Sequence, residues 1–253
     1  MQLIAEKARE SLADLLDGWE ETMLWSYLQG FHGKAWADDP ARPGSAQVWV
    51  GDFCFFAGQP ELELVRNVPT GTEFLLLVPQ NENWAGLIEQ VYGRACRRTT
   101  RYAFLKDPDV FDEKKLREYA GSLPEKYELR QIGEELYELA KSEGWSRDLC
   151  SQFPTYEAYR KNGLGFAAVC GGKLAGGASS YTRYRGGIEI EVDTRLDYRR
   201  QGVALACASR LILECRERGL YPSWDAANLK SAGLAEKLGY HFHCQYTAYE
   251  LSI

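Results

Sequence analysis

The clearest alternation of apolar and polar positions lies in residues 188–194 and predicts a strand with one buried face. Three apolar residues alternate there with three acids, in the order Ile188, Glu189, Ile190, Glu191, Val192 and Asp193. Successive side chains of a strand point to opposite faces, so the three acids are expected to share one face.

A helical period follows this strand. Four residues at spacings of three or four predict the buried face of a long helix: Ala204, Ala208, Leu211 and Cys215. The helix is expected to run to Arg218, because a glycine such as Gly219 commonly follows the last helical residue.

Turn-forming residues divide the rest of the second half into short strands and helices. The pair Gly171-Gly172 between two apolar segments predicts a β-hairpin. The other predicted elements are Tyr127–Ile132, Glu134–Ser142, Pro154–Lys161, Phe166–Cys170, Leu174–Tyr181, Leu220–Ala226, Leu229–Leu238 and His241–Leu251. The order is strand, two helices, three strands, helix, strand, helix, strand, which predicts an α+β fold with a mixed sheet.

The first half is expected to form a smaller α/β domain. Helices are predicted within residues 3–29, and Gly30–Ser45 is predicted to be a loop because it holds three glycines and two prolines. The further predicted elements are the strands Gln47–Val50, Asp52–Ala57, Glu73–Val78 and Arg97–Leu105, a helix from Asn81 to Tyr92, and the helix Glu113–Ala120. Residues 121–124 read Gly-Ser-Leu-Pro, so the predicted domains are residues 1–124 and 125–253.

Composition places the chain among ordinary globular proteins, with 45% apolar and 26% charged residues. No apolar run approaches the roughly 18 residues that span a bilayer, and residues 1–7 do not resemble a signal peptide. Seven cysteines without a CxxC pair indicate reduced thiols. We therefore expect a cytoplasmic protein without a membrane partner.

The excess of negative charge lies entirely in the first half. Residues 1–124 carry 13 Lys and Arg against 19 Asp and Glu, whereas residues 125–253 carry 17 of each. This argues against nucleic acid as a partner, which needs a basic surface. It favours a cationic acceptor on the side of the first domain, although an acidic balance is also common in cytosolic proteins.

Two arginines at the predicted start of the long helix point to an anion. Free amides at a helix N-terminus disfavour cations, so Arg199 and Arg200 are out of place unless an anion binds there. Gly202 and Ala204 would let that anion approach the backbone closely. The alternative is that Asp197 neutralises one arginine and solvent the other.

The segment Arg199–Ala204 resembles the [Q/R]xxGx[G/A] signature of the GCN5-related N-acetyltransferase (GNAT) superfamily. The surroundings of this segment agree with the family pattern, since an alternating strand precedes it. In addition, residues 236–240 (Glu-Lys-Leu-Gly-Tyr) are similar to the family's "EKLGF" stretch. The similarity covers about residues 126–253. It implies a GNAT-like mixed, splayed central sheet flanked by helices. The first half most resembles the extra N-terminal region of the zwittermicin A resistance group.

The resemblance implies acetyl-CoA as the donor and no metal. The residues implied to bind the donor are Val192, Asp193 and Thr194 on the strand, Arg199, Arg200, Gln201, Gly202, Val203 and Ala204 at the helix start, and Asn228 on the neighbouring strand. Two histidines, His241 and His243, are too few for a zinc site, which usually takes four ligands.

Acetyl transfer to an amine needs a group that takes a proton from the ammonium. Glu189 and Glu191 are the candidate bases, although the same face could instead be exposed to solvent or bind the amine as a counter-charge. Ala235 stands where the family commonly has a tyrosine acid. Tyr240, Tyr198 and Ser231 are nearby substitutes in the sequence.

The leading hypothesis is an N-acetyltransferase that acts on a primary amine of a small molecule. A homodimer is a further possibility for the assembly of the protein. One alternative is a protein N-acetyltransferase that uses the first half for docking. Another is an acyl-CoA-binding sensor with weak or no catalysis, which Ala235 favours and the paired acids oppose.

Overall fold

A computed structural model describes residues 1–252 and divides into two compact units. The first unit comprises residues 1–101 together with 245–252, and the second comprises residues 102–244. Two strands pass along the chain from one unit into the other, at residues 101/102 and 244/245. No helix in residues 1–252 combines the length and apolarity that a membrane crossing requires.

The first unit consists of a sheet and four helices. Its strands are β1 (Gln2–Leu3), β2 (Lys34–Ala37), β3 (Ser45–Val50), β4 (Phe53–Gly58), β5 (Phe74–Pro79), most of β6 (Cys96–Phe104) and the end of β13 (Phe242–Ser252). Its helices are α1 (Ala13–Leu16), α2 (Thr22–Leu28), α3 (Leu62–Arg66) and α4 (Glu82–Tyr92), with a 3₁₀ helix at Glu6–Leu12. The strand order is β1-β2-β3-β4-β5-β13-β6.

The prediction of a loop over Gly30–Ser45 is wrong for the middle of this segment, where β2 pairs with β1 and β3. Ala35 and Ala37 of β2 are fully buried, whereas Lys34 is exposed. The strand is only four residues long and lies between glycines and prolines, so the composition of the whole segment obscured its alternation.

Trp84 anchors α4 to the sheet of the first unit. Asn81 caps the helix as predicted, since its side chain accepts from the amides of Asn83 and Trp84. Trp84 is fully buried, packs on Phe56 with ring centres 5.2 Å apart, and donates from Nε1 to the Gly58 carbonyl at 2.9 Å. The buried indole and its hydrogen bond fix the register of α4 on the sheet.

The second unit confirms the predicted order of elements. After α5 (Glu113–Ala120) come β7 (Tyr127–Gln131), α6 (Glu134–Ser142), α7 (Tyr156–Asn162), β8 (Gly165–Cys170), β9 (Lys173–Tyr184), β10 (Gly187–Thr194), α8 (Val203–Glu217), β11 (Tyr221–Ser223), β12 (Asp225–Ala226), α9 (Leu229–Leu238) and the start of β13. The hairpin at Gly171-Gly172 is confirmed, with φ of 57° and 76°.

A five-stranded sheet in the order β11-β10-β9-β8-β7 separates two cores. Phe166 and Ala168 of β8 belong to the core that includes α5, α8 and α9, whereas Ala167 and Val169 belong to the core of α6 and α7. Alternate residues of a strand face opposite sides, so helices cover both faces of this sheet. The predicted α+β architecture with a mixed sheet is confirmed.

The structural division differs from the boundary predicted between residues 124 and 125, because α5 belongs to the second unit. Leu116 is buried in the core of α8, and Arg216 of α8 reaches Glu113 at 3.3 Å and the Pro108 carbonyl at 2.7 Å. Residues 121–124 therefore form a turn between α5 and β7 within one unit. The functional division into residues 1–124 and 125–253 stays a prediction.

Candidate active site

The parallel strands β10 and β11 separate after three paired positions. Their last pair joins Glu189 to Ser223. Beyond this pair, β10 continues to Thr194 beside β9. The segment after β11 passes through Trp224 into β12, which pairs with β6. Within residues 1–252, positions 190–194 of β10 thus have no strand on the β11 side. We call this gap the fork.

A β-bulge lies at the same level as the fork. Glu189 pairs with Thr182 of β9, and the next residue, Ile190, pairs with Ser180, so Tyr181 is the extra residue. A bulge bends its strand and increases the local twist. The bulge of β9 therefore lies beside the position where the pairing of β10 with β11 ends.

The loop that joins β10 to α8, residues 195–202, contains two left-handed residues. Arg200 has a φ of 60°, and it alone among the non-glycine residues of 1–252 has a positive φ; Gly202 has a φ of 86°. A left-handed conformation is costly for a residue with a side chain and is concentrated at functional positions. Such residues also turn successive amides to one side, as in anion-binding loops.

The N-terminus of α8 is open at Gly202, which is exposed. No side chain of residues 1–252 caps this helix. A Cβ built on Gly202 would find its nearest neighbour, Leu123 Cδ2, at 3.9 Å. The first amides of a helix carry partial positive charge, so the backbone of residues 201–204 offers an anion an unobstructed set of donors.

Close packing of α8 on the sheet depends on Gly176 of β9. A Cβ at this position would lie 2.6 Å from Val203 Cγ1 and 2.8 Å from the Asp193 carbonyl oxygen, which is too close for either. Without a side chain at residue 176, the start of α8 can rest beside the end of β10. The amide donors and the open strand edge are thereby brought to the same end of the fork.

Two arginines of the loop, Arg199 and Arg200, form no ion pair within residues 1–252. Asp197 pairs with Arg195 at 3.4 Å and with neither of them. The alternative in which Asp197 neutralises one of them is therefore wrong. Arg199 Nε donates to the Thr194 carbonyl at 3.1 Å, which keeps its charge next to the loop.

Gln201 is held by its side chain. Its Oε1 accepts from Tyr127 Oη at 2.7 Å and from Lys126 Nζ at 3.1 Å, and its Nε2 donates to the Asp197 carbonyl at 2.9 Å. These bonds tie the loop to the start of β7. The group that Gln201 can offer to an anion is therefore its main-chain amide. Tyr127 and Lys126 are positioning residues that the sequence did not reveal.

The acidic face of β10 begins with a buried carboxylate. Glu189 is 5% exposed, whereas Glu191 and Asp193 are half-buried. The strand register places Glu189 beside Thr182 of β9 and Ser223 of β11, both buried. The acidic row is therefore shielded from solvent at Glu189, where the fork begins.

Three phenol groups, those of Tyr184, Tyr221 and Tyr240, lie close enough to Glu189 to be affected by its charge. Tyr184 Oη lies 2.7 Å from Ser223 Oγ, and Tyr240 Oη donates to the Pro222 carbonyl at 2.6 Å. Burial raises the pKa of Tyr184 and Tyr240 and raises that of Tyr221 to about 12, and the charge of Glu189 adds to the rise in all three. The phenols are thus protonated at neutral pH, and the Tyr240 proton is engaged by the backbone.

Asp193 has a perturbed pKa at the outer end of the row. Burial raises it to about 6; the carboxylate of Asp148 contributes to the rise, and Arg199 opposes it. Asp148 belongs to the 3₁₀ helix Arg147–Leu149, which the sequence did not connect with the site. A positive charge or a water molecule beside Asp193 would weaken the repulsion between the carboxylates of Asp193 and Asp148.

Replacing Asp193 with asparagine should make the protein more stable at high pH. A carboxyl whose pKa is raised on folding stabilises the fold below the unfolded pKa, and this contribution is lost as the pH rises through about 6. We expect Asp193→Asn to add up to about 3 kcal/mol to the free energy of unfolding at pH 8 and little at pH 4. Urea unfolding at both pH values checks this, and an equal difference at both would contradict it.

Asn228 lies where β12 leads into α9. Its Oδ1 accepts from the amides of Lys230 at 3.0 Å and Ser231 at 3.1 Å, so it is the N-cap of α9. Asn228 is exposed and follows the strand that leaves the fork on the side opposite β10. Its predicted contact with a donor stays a prediction beside this capping role.

A large side chain from the fork occupies the face of α9 that bears Ala235. Trp224 Nε1 donates to Ser231 Oγ at 3.1 Å, and the indole lies 5.5 Å from the Tyr240 ring. Ser231 and Ala235 are one helical turn apart and share a face. Ala235 is fully buried, so its small size is a packing requirement of this core.

A tyrosine at position 235 should destabilise the protein. Overpacking a filled core costs about 1–3 kcal/mol, and the ring would have to displace buried neighbours. Glu236→Tyr is the matched control, since residue 236 is the exposed neighbour on the same helix and should change stability by less than about 0.5 kcal/mol. Urea unfolding measures both variants; equal stabilities would contradict the packing argument.

The remaining sequence candidates lie apart from any metal-binding arrangement. His241 and His243 are exposed. Within residues 1–252, no three His, Cys, Asp or Glu side chains are placed to hold a metal ion. The seven cysteines are free thiols, of which Cys207 and Cys215 are buried in α8 as core residues.

Known proteins are similar to this chain over almost its whole length. The sequence model of one family, described as GNAT acetyltransferase, matches residues 13–249, so it includes most of the first unit as well as the second. The chain is 25% identical over 263 residues to an uncharacterised N-acetyltransferase, YdfB, of Bacillus subtilis (strain 168), with 98% of each chain covered.

Solved structures share the fold. A GCN5-related N-acetyltransferase-like protein from Streptococcus suis is 45% identical, with a TM-score of 0.92 over 97% of this chain and 98% of that one. A tandem GNAT protein from the clavulanic acid biosynthesis pathway is 13% identical, with a TM-score of 0.59 over 99% and 98%. The second similarity concerns the fold alone.

Proposed function

Because this chain belongs to the GNAT acetyltransferase family, we propose that it transfers an acetyl group from acetyl-CoA to a primary amine of a small molecule. The observation that carries the proposal is the fork together with the open N-terminus of α8, which follows it along the chain. Unpaired strand backbone followed by amide donors suits a long ligand with a diphosphate.

Acetyl-CoA, as the donor, would supply an activated acyl group along this path. The backbone of Val192, Asp193 and Thr194 would hydrogen-bond its pantetheine arm from the open edge of β10. The amides from Gln201 to Ala204 would hold the diphosphate. Arg199 and Arg200, which have no ion-pair partner among residues 1–252, would supply positive charge, and Asn228 would approach from the other side of the fork.

Either Glu189 or Glu191 would take the proton that the attacking amine must lose. Amines of the lysine type have a pKa near 10.4 and arrive as ammonium at neutral pH. The buried position of Glu189 at the fork supports this role, and Glu191 lies two residues along the same face. Either carboxylate would also attract the cationic acceptor before proton transfer.

The departing thiolate would leave without a tyrosine from position 235. Ala235 carries no proton, and Tyr240 donates its own to Pro222. A thiol of the cysteine type has a pKa of about 8.5, so its thiolate is a fair leaving group without an acid. The hydroxyl of Ser231, which accepts from Trp224, and that of half-buried Tyr198 stay candidates for this step.

Release of free CoA from acetyl-CoA tests the proposal directly. The full chain would be incubated with acetyl-CoA and a panel of primary amines, including aminoglycosides and polyamines, and thiol would be measured. We expect thiol release that depends on at least one amine. Absence of acetyl-CoA binding by calorimetry would contradict the proposed donor.

A sensor of acyl-CoA is the second candidate, and the buried Ala235 is the observation that favours it. Binding of acetyl-CoA without thiol release over the whole panel would support the sensor over the enzyme. The acidic residues 1–124 stay proposed as the acceptor side on the basis of their charge. Their likeness to the zwittermicin A resistance group stays a prediction, which adding that antibiotic to the panel would test.

A further inference from the structure

A pocket separate from the fork lies in the second unit, at the end of α9 farthest from the fork. Its volume is about 120 Å³, and it is lined by α5 and the C-terminal end of α9. Asn228, at the fork, begins a ten-residue helix that ends at Leu238. At 1.5 Å per residue, the pocket is about 15 Å from that cap.

The floor of the pocket is apolar. Leu116 and Leu238 line it and are 1% and 3% exposed, and Val110 lines it beside them. One wall is Tyr119, a half-buried aromatic ring. The interior therefore suits a small apolar group rather than a hydrated ion alone.

The rim carries two lysines that share one aromatic ring. Lys115 Nζ lies 5.8 Å and Lys237 Nζ 5.2 Å from the centre of Tyr119. Neither lysine forms an ion pair with any residue of 1–252. Both ammonium groups therefore add positive charge around one ring, and an anion in the pocket would be attracted to both.

The single carboxylate in the pocket lining is already in use. Asp112 Oδ1 accepts from the Lys115 amide at 3.1 Å and caps α5. The lining as a whole thus keeps a net charge of +1. Its polar part matches an anionic head group, and its floor matches a hydrocarbon body.

We propose that this pocket binds a small organic carboxylate with a branched or aromatic body. The carboxylate pairs with Lys115 and Lys237, and the hydrocarbon part contacts Leu116, Leu238 and the ring of Tyr119. This site is separate from the proposed acetyl-CoA path and stands whether or not the chain is an enzyme.

Three probes of matched size test the proposal on the full chain: isobutyrate, neutral isobutyramide and inorganic phosphate. Saturation-transfer NMR or calorimetry would measure affinity. We expect isobutyrate to bind with a Kd of about 1 mM, and the amide and phosphate to bind at least about tenfold more weakly. Equal affinity for the amide would overturn the role of the lysines, and equal or tighter binding of phosphate would overturn the organic ligand.

The double variant Lys115→Met/Lys237→Met should lose about tenfold in isobutyrate affinity. The matched control is Lys114→Met/Lys230→Met, which removes two exposed lysines from the same two helices but outside the pocket. The control should bind as the parent does. An identical loss in both double variants would show a general charge effect and would overturn the site.

Discussion

A Gly202→Glu variant should fold and lose at least about 100-fold of its affinity for CoA. The new carboxylate would stand at the open start of α8, where the diphosphate is proposed to lie, and like charges in contact cost several kcal/mol. The space around residue 202 is open, so the side chain has room. Isothermal titration with CoA measures the effect.

The matched control is Gly202→Ala. Both substitutions place a side chain at a φ of 86°, which costs roughly 1–2 kcal/mol in either variant. The two proteins should therefore share a similar lowered melting temperature, while the alanine variant keeps its CoA affinity within about tenfold of the parent. If the glutamate variant bound CoA as the alanine variant does, the diphosphate would lie elsewhere.

Glutamine at the true base, either Glu189 or Glu191, should lower kcat by about 10²–10⁴-fold with little change in acetyl-CoA affinity. General base catalysis is typically worth this much, and glutamine keeps the size of the side chain but cannot take a proton. The measurement is kcat for each single variant with the amine identified in the panel, beside the Kd for acetyl-CoA.

The pH dependence separates a base from a structural role. The loss should shrink as the pH rises toward 10, because the amine then arrives unprotonated and needs no base. A loss that is constant with pH would indicate that the carboxylate only positions the substrate. If both variants stayed within a few-fold of the parent at pH 7, solvent would remove the proton and the site would act by positioning.

The sequence predicted those parts of the second unit that depend on local signals. Gly171-Gly172 adopts positive φ in a hairpin, and Gly219 and Gly239 do so after α8 and α9. The alternation from Ile188 to Thr194 gave β10, because one face of that strand packs on a helix and the period of two is intact.

Tertiary contacts account for what the sequence could not predict. The segment Leu220–Ala226 was expected to be one strand, but Trp224 divides it between two sheets, and nothing local signals a change of partner. The Asp148–Asp193 proximity and the Gln201–Tyr127 bond join residues far apart in the chain, and the bulge at Tyr181 shows in no residue pattern of β9. Burial of Ala235 against the core also has no sequence signature.

The discontinuous first unit has a consequence for biosynthesis. Its strand β13 lies between β5 and β6, and Tyr249 pairs with Leu77 across more than half of the chain. A ribosome that adds about 5–20 residues per second needs roughly 7–30 s to make residues 102–244 before this strand emerges. Throughout that interval the nascent chain exposes unpaired strand edges, which are templates for aggregation. Chaperone supply and translation speed should therefore govern the yield of native protein more strongly than its final stability does.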